Sequence, residues 1–267
     1  MRADQLLVLR GLAASRSQAA RLIDAGARWM HRGQWKPLRK SDDLLEDALV
    51  ELTNPAEAQY VSRGGVKLAG ALLASGLQVQ GKVCLDLGQS TGGFTDCLLQ
   101  HGATGVVGVD VGHGQLHPSL RGHAHVVCVE KTNARTVIAT DLVAACAVFT
   151  WAIGLFDRKI HATEIGAQLI VGDVSFISQT LLIDTLVDLV QPGGDILMLV
   201  KPQFELQPEQ IGKGGIVKDP AHYAVVEQRI RSAYAEGGLQ VHNYFESPIA
   251  GGDGNREFFV HATKPTV

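Results

Sequence analysis

Two aspartates, each near the end of a short apolar run, flank a cluster of glycines, the first arrangement in this 267-residue chain suited to ligand chemistry. Val83, Cys84, Leu85 and Leu87 surround Asp86, and Gly88, Gly92 and Gly93 follow before an apolar-periodic segment at 94–99. That order predicts a buried strand, a glycine turn and a helix start. The backbone can approach a ligand there, and the helix presents free N–H groups. No lysine follows the glycines, which excludes a phosphate loop, and the spacing departs from the dinucleotide fingerprint. Asp86 would repel a pyrophosphate but attract an ammonium group. A second run, 106–109, ends in Asp110, at the offset where a carboxylate takes ribose hydroxyls. One aspartate for an amino acid's ammonium and another for a ribose suit S-adenosylmethionine, with Gly88 and Gly92 in the turn beside it.

Strands and helices must position these residues. Further strand-like runs fall at 126–129, 169–171, 196–200 and 258–260, with helical segments between several of them. The alternation predicts an α/β domain with a mostly parallel sheet and helices on both faces. Gln191-Pro192-Gly193-Gly194 reads as the turn before the strand that ends at Lys201. Residues 142–156 carry no charge and are bounded by Asp141 and Asp157. The run is shorter than the roughly 20 residues that span a bilayer, so a packed helix is expected.

At 46% hydrophobic residues the chain can bury a large core and form two domains. Its net charge of −3 hides an asymmetry: residues 1–40 hold nine basic and two acidic residues, a net +7, which leaves −10 for the rest. A basic module joined to an acidic one points to nucleic acid. Leucines at 6, 7, 9 and 12 keep helical spacing, Ser15 is placed to cap a second helix at 16–25, and strand-like pieces follow near 27–31 and 48–52. Arg10, Arg16, Arg21 and Arg28 would share a neighbourhood, and guanidinium groups can fork onto phosphates. Cys84, Cys97, Cys128 and Cys146 lack metal-ligand spacing and read as reduced thiols of a cytoplasmic protein. No metal site is expected. The opening residues lack the apolar run of a signal peptide.

The pattern Arg2 to Leu7, Gly11, Ser15-Arg16-Ser17-Gln18-Ala19 and Ala25-Gly26 resembles the small RNA-binding domain named after ribosomal small-subunit protein four. Asn54-Pro55-Ala56 then reads as a linker, which separates an α+β RNA-binding domain at 1–58 from a second domain at 59–267. Six motifs follow in order: Tyr60-Val61-Ser62-Arg63-Gly64-Gly65-Val66-Lys67-Leu68, the glycine turn after Asp86, Val109-Asp110-Val111-Gly112-His113-Gly114-Gln115-Leu116, Asp173-Val174-Ser175-Phe176-Ile177-Ser178, Lys201-Pro202-Gln203-Phe204-Glu205 and Gly254-Asn255-Arg256-Glu257. Over nearly the whole chain this resembles the TlyA family, RNA 2′-O-methyltransferases with an FtsJ-like catalytic domain, often labelled haemolysin A.

The resemblance implies a Rossmann-like class I methyltransferase fold with seven strands, S-adenosylmethionine as cofactor, and cytidine in 16S or 23S ribosomal RNA as substrate. It implies a catalytic tetrad of Lys67, Asp173, Lys201 and Glu257. It also implies cofactor roles for Gly88, Ser90, Asp110 and Asn133, and RNA contacts by Arg2 together with the four arginines above. The stretch from Asn133 to Asp173 is longer than the family usually needs, a surplus centred on 137–165. Methyl transfer to a ribose hydroxyl is an in-line displacement by a poor nucleophile, so the site must align three atoms and favour a developing alkoxide. Lys201, at the C-terminal end of a predicted strand, is the expected cation, with Asp173 orienting it and Lys67 and Glu257 balancing the charge. Among the histidines, only His113 lies in the ribose-side loop. Two further readings are a non-catalytic RNA-binding or ribosome-assembly factor with a relic fold, and a membrane-active haemolysin resting on 142–156 alone. Stable membrane association is not expected.

Overall fold

The computed structural model describes residues 1–13, 15–53, 59–157 and 166–266. The linker expected at Asn54-Pro55-Ala56 and the last part of the 137–165 surplus lie outside the described residues. The chain divides into two compact units, Met1–Val66 and Lys67–Val267.

In the first unit, α1 (Ala3–Leu9) and α2 (Arg16–Asp24) pack Leu6, Leu7, Leu22 and Ile23 into a small core. Ser15 caps α2 by accepting the Gln18 amide at 3.2 Å. A three-stranded antiparallel sheet follows in the order β2-β1-β3, from β1 (Arg28–His31), β2 (Gln34–Pro37) and β3 (Val50–Glu51). The second strand escapes sequence reading because Gln34-Trp35-Lys36-Pro37 has no clear alternation. The turn specifies it instead: His31 pairs with Gln34, and Arg32 and Gly33 both take positive φ, 50° and 79°, as a two-residue hairpin requires.

The second unit is built on seven strands: β4 (Val83–Leu87), β5 (Gly105–Val109), β6 (Val126–Val129), β7 (Ala167–Gly172), β8 (Val190–Val200), β9 (Gln240–Glu246) and β10 (Phe258–Thr263). Their order is β6-β5-β4-β7-β8-β10-β9, and β10 alone is antiparallel to its neighbours. Its helices are α3 (Arg63–Ser75, which begins in the first unit), α4 (Gly93–Gln100), α5 (Ala139–Cys146), α6 (Ile183–Leu189) and α7 (Ala221–Glu236). Leu85 and Leu87 join a core with Leu142, Leu186 and Ile230, from α5, α6 and α7. On the other face Phe259 stacks 6.3 Å from Phe94 of α4. Both faces are therefore covered, which explains the continuous apolar runs of the central strands.

The turn expected at 191–194 is absorbed into β8 as an irregularity. Ala167 faces Val190 while Leu169 faces Asp195, so 191–194 are extruded from the ladder. β9 gave no sequence signal because it is an edge strand with mixed exposure. The 142–156 run turns inward, as expected, but only its start is helical. Leu142, Cys146, Ala152 and Phe156 are buried in the main core. Among the described residues no helix is long and apolar enough to cross a membrane.

Candidate active site

The chain runs outward from β4 to β6 and then returns to lay β7 against the other side of β4. Such a reversal leaves a crevice at the C-terminal strand ends. A cavity of about 900 Å³ opens there, walled by Gly88, Ser90, Asp110, Asn133 and Asp173 among others. Gly88 has φ +81°, and a Cβ on it would come within 3.0 Å of the Asp173 carbonyl oxygen. Glycine is required, and it lets β4 and β7 close on each other at the cavity floor.

Asp110 organises the wall. Its two oxygens accept the Ser90 amide at 2.7 Å and the Gly112 amide at 2.6 Å. Each oxygen keeps acceptor capacity for a hydroxyl. Val109, Val111, Ala134 and Leu181 add apolar surface. Acceptors beside an apolar wall, in a cavity of this size, fit a nucleoside cofactor. Two residues expected at the cofactor are not on this wall. Asp86 is buried beneath the wall, where its Oδ2 accepts the Thr95 hydroxyl at 2.7 Å and its Oδ1 has no partner among the described residues. Burial pushes its carboxyl up to about 7, opposed by the Thr95 bond and aided by the charge of Asp173. Asp86 faces the interior because residues alternate along β4, and its neighbours Leu85 and Leu87 belong to the opposite face. Gly92 is at the N-cap of α4 against the Leu116 and Leu120 side chains, and it too is off the wall.

The four residues of the expected tetrad form two ion pairs. Lys201 Nζ lies 2.6 Å from Asp173 Oδ1, and Lys67 Nζ lies 2.6 Å from Glu257 Oε2. Both are close charge contacts without hydrogen-bond alignment at the carboxylate oxygen. Lys201 also donates to Ser175 Oγ at 2.6 Å. Lys67 and Glu257 are buried, and burial holds the Glu257 carboxyl above its usual range against the pull of Lys67. Asp173 raises it further and Lys201 lowers it, so the two pairs share one electrostatic field. Of the four, Asp173 lines the cavity and links it to the other three.

Supporting residues that sequence reading missed hold this frame. Glu205 is buried, and it accepts the Ser178 hydroxyl at 2.6 Å and the Gln179 amide at 2.7 Å, which fixes the end of the 173–178 loop. Glu130 accepts His113 Nδ1 at 2.6 Å and the Gly114 amide at 2.7 Å, anchoring the loop that delivers Gln115 to the cavity. Phe176 is 90% exposed with φ +64°, on the cavity rim, and its ring lies 5.1 Å from that of Phe204. An exposed aromatic in a strained backbone conformation has no sequence signature.

In the first unit the five expected RNA-contacting arginines have partners of their own. Arg2 and Arg16 converge on Asp4, at 3.0 and 2.7 Å, and Arg28 pairs with Glu51 at 2.7 Å. Arg10 donates to the Ala48 carbonyl and Arg21 to that of Val61. Arg2, Arg10, Arg16 and Arg28 nevertheless stay exposed. Arg32, Lys36 and Arg39 are exposed and have no side-chain partner among the described residues.

The chain is similar to known proteins over nearly its whole length. The FtsJ-like methyltransferase family model matches residues 60–264. The 16S/23S rRNA (cytidine-2′-O)-methyltransferase TlyA of Mycobacterium tuberculosis is 41% identical over 261 residues, which cover 97% of this chain and 88% of that protein. Hemolysin A of Brachyspira hyodysenteriae is 34% identical over 98% of this chain and 99% of its own. A solved structure of a hemolysin candidate from Streptococcus thermophilus superposes with a TM-score of 0.71 at 34% identity, covering 99% of this chain and 88% of that one.

Proposed function

The chain belongs to the FtsJ-like methyltransferase family, and we propose that it transfers a methyl group from S-adenosylmethionine to the ribose 2′-hydroxyl of a cytidine in ribosomal RNA. The observation that carries this reading is the pair of lysine–carboxylate contacts, Lys201 with Asp173 and Lys67 with Glu257, at the edge of a nucleoside-sized cavity. The name of the mycobacterial relative supports the choice of substrate.

Gly88, Ser90, Asp110 and Asn133 would hold the cofactor, with Asp110 taking ribose hydroxyls and Asp86 bracing the turn from beneath. When bound, S-adenosylmethionine supplies an electrophilic methyl group. The chain supplies alignment and charge. Asp173 and Ser175 fix the Lys201 ammonium at the cavity edge, where negative charge develops on the ribose oxygen. Lys67 and Glu257 balance that cluster from a buried position. Phe176 offers a ring face at the rim for an unstacked base. Residues 1–58 act as the RNA-binding module and 59–267 as the catalytic one. Arg32, Lys36 and Arg39, exposed and without side-chain partners among the described residues, join the exposed arginines in attracting phosphate. Acting on ribosomal RNA, it would work in the cytoplasm.

The test is methyl transfer from labelled S-adenosylmethionine to ribosomal subunits that lack the modification, with mapping of the modified sugar. Transfer to a cytidine 2′-oxygen is the expected result. Label on neither subunit, from folded protein that binds the cofactor, would refute the reading.

A further inference from the structure

Residues 67–267 are acidic, with 14 basic against 19 acidic residues, a net −5, and most cations of this unit are tied to partners. Lys67 pairs with Glu257, Lys82 with Asp195, Lys201 with Asp173, Arg231 with Glu227 and Arg256 with Glu246. Apart from Arg135 on the cavity lining and Lys131 four residues before it, Lys213 and Lys218 are the exceptions among the described residues. Both are exposed and neither side chain has a partner among the described residues.

These two lysines lie on a turn stapled to the catalytic cluster. Buried Asn255 donates from Nδ2 to the Gly215 carbonyl at 2.9 Å, and its Oδ1 accepts the Val217 amide at 2.9 Å. Tyr223 adds a bond from its hydroxyl to the Val217 carbonyl at 3.1 Å, and Gly212 donates to the Ile216 carbonyl at 2.9 Å. Asn255 stands two residues before Glu257 and also donates to Asp253 Oδ2, which accepts Gln203, two residues after Lys201. Burial alone would raise the Asp253 carboxyl, but the bonds from Asn255, with help from the Lys201 charge, hold it low. The turn is thus fixed at its base to the segments that carry Lys201 and Glu257, while Lys213 and Lys218 remain free in solvent.

We propose that the 212–218 turn grips the phosphodiester backbone of the substrate RNA beside the target nucleotide, with Lys213 and Lys218 as phosphate ligands. This rests on the RNA methyltransferase reading and names a contact for the strand within the catalytic unit itself. A stapled base keeps the two cations in fixed register with the tetrad, so gripping a neighbouring phosphate would help to align the ribose. Free cations on an acidic unit have no folding partner to satisfy, and a phosphate supplies one.

The experiment measures filter binding of the full chain to 16S and 23S rRNA over a salt series, for Lys213→Ala, Lys218→Ala and the double variant. Each substitution should reduce the slope of log affinity against log salt by about one. Between about 50 and 200 mM salt, wild type should then lose about fourfold more affinity than a single variant. Lys213→Arg should restore the slope, and the KM for rRNA should rise in the alanine variants. Calorimetric affinity for S-adenosylmethionine serves as the control for folding. A double variant with the wild-type salt slope overturns the proposal. The slope is read from binding alone, so this failure is distinct from an absence of methyl transfer by wild type, which would refute the functional reading instead.

Discussion

Replacing Asp86 with asparagine should change how the stability of the catalytic unit depends on pH. Burial holds the folded carboxyl at about 7, against an ordinary value of 3.8. Between these values the folded chain keeps a proton that the unfolded chain releases. The stability contributed by that proton is complete below pH 3.8 and is lost as pH rises through 7. At about 1.4 kcal/mol per pH unit the full difference is about 4 kcal/mol, of which about 2–3 kcal/mol falls between pH 5 and pH 8. An asparagine side chain preserves the shape: its oxygen can accept the Thr95 hydroxyl, and its amide replaces Oδ1, the atom with no partner among the described residues. Glu205 and Glu257, also raised by burial, titrate in the same direction but cancel in the comparison. Urea unfolding of both proteins at pH 5 and pH 8 should show Asp86→Asn gaining about 2–3 kcal/mol on wild type at the higher pH. Parallel pH profiles would mean that Asp86 ionises freely in the folded chain, and the buried-acid reasoning would fail.

Lys201→Ala should slow methyl transfer by on the order of 10²–10³, the loss usual for one electrostatic stabiliser, while calorimetric cofactor affinity changes little. Lys201→Arg should not rescue it, because a planar fork cannot replace a compact ammonium between Asp173 and Ser175; a wild-type rate in Lys201→Ala would remove Lys201 from the mechanism, and one in Lys201→Arg would refute the need for a compact ammonium. Asp110→Ala should weaken S-adenosylmethionine binding by roughly 1–3 kcal/mol, since the ribose acceptor and the anchor for the Ser90 and Gly112 amides are lost together. Unchanged calorimetric affinity would take Asp110 off the cofactor wall. Phe176→Ala should cost about 1–3 kcal/mol in kcat/KM for rRNA, the range for one stacked base, with cofactor affinity preserved. An equal kcat/KM would leave the exposed ring without a role in substrate binding.

Much of this protein was legible in its sequence because the relevant signals are local. Continuous apolar runs such as 106–109 mark strands buried on both faces, and Gly88 marks a position where a Cβ would strike the Asp173 backbone. Ser15 as a helix cap, Asp110 at a strand end and the order of the six motifs likewise depend on neighbours in sequence. What only the tertiary structure decided are pairings across distance. Asp86 and Asp110 look alike in sequence, each near the end of an apolar run, yet one is interior and the other lines the cavity. The alternating pleat and the packing of α4 against β4, with Thr95 reaching Asp86, separate them. The arginines read as one basic surface, but Asp4 and Glu51 draw three of them into ion pairs and leave Arg32, Lys36 and Arg39 without partners among the described residues. Glu257 is carried to the end of β8 because β10 inserts antiparallel between β8 and β9 and pairs Phe258 with Val200, and Lys67, on α3, meets it there. Period and turn chemistry specify which elements form; which side chains meet depends on how the whole sheet is assembled, and a linear pattern carries no term for that.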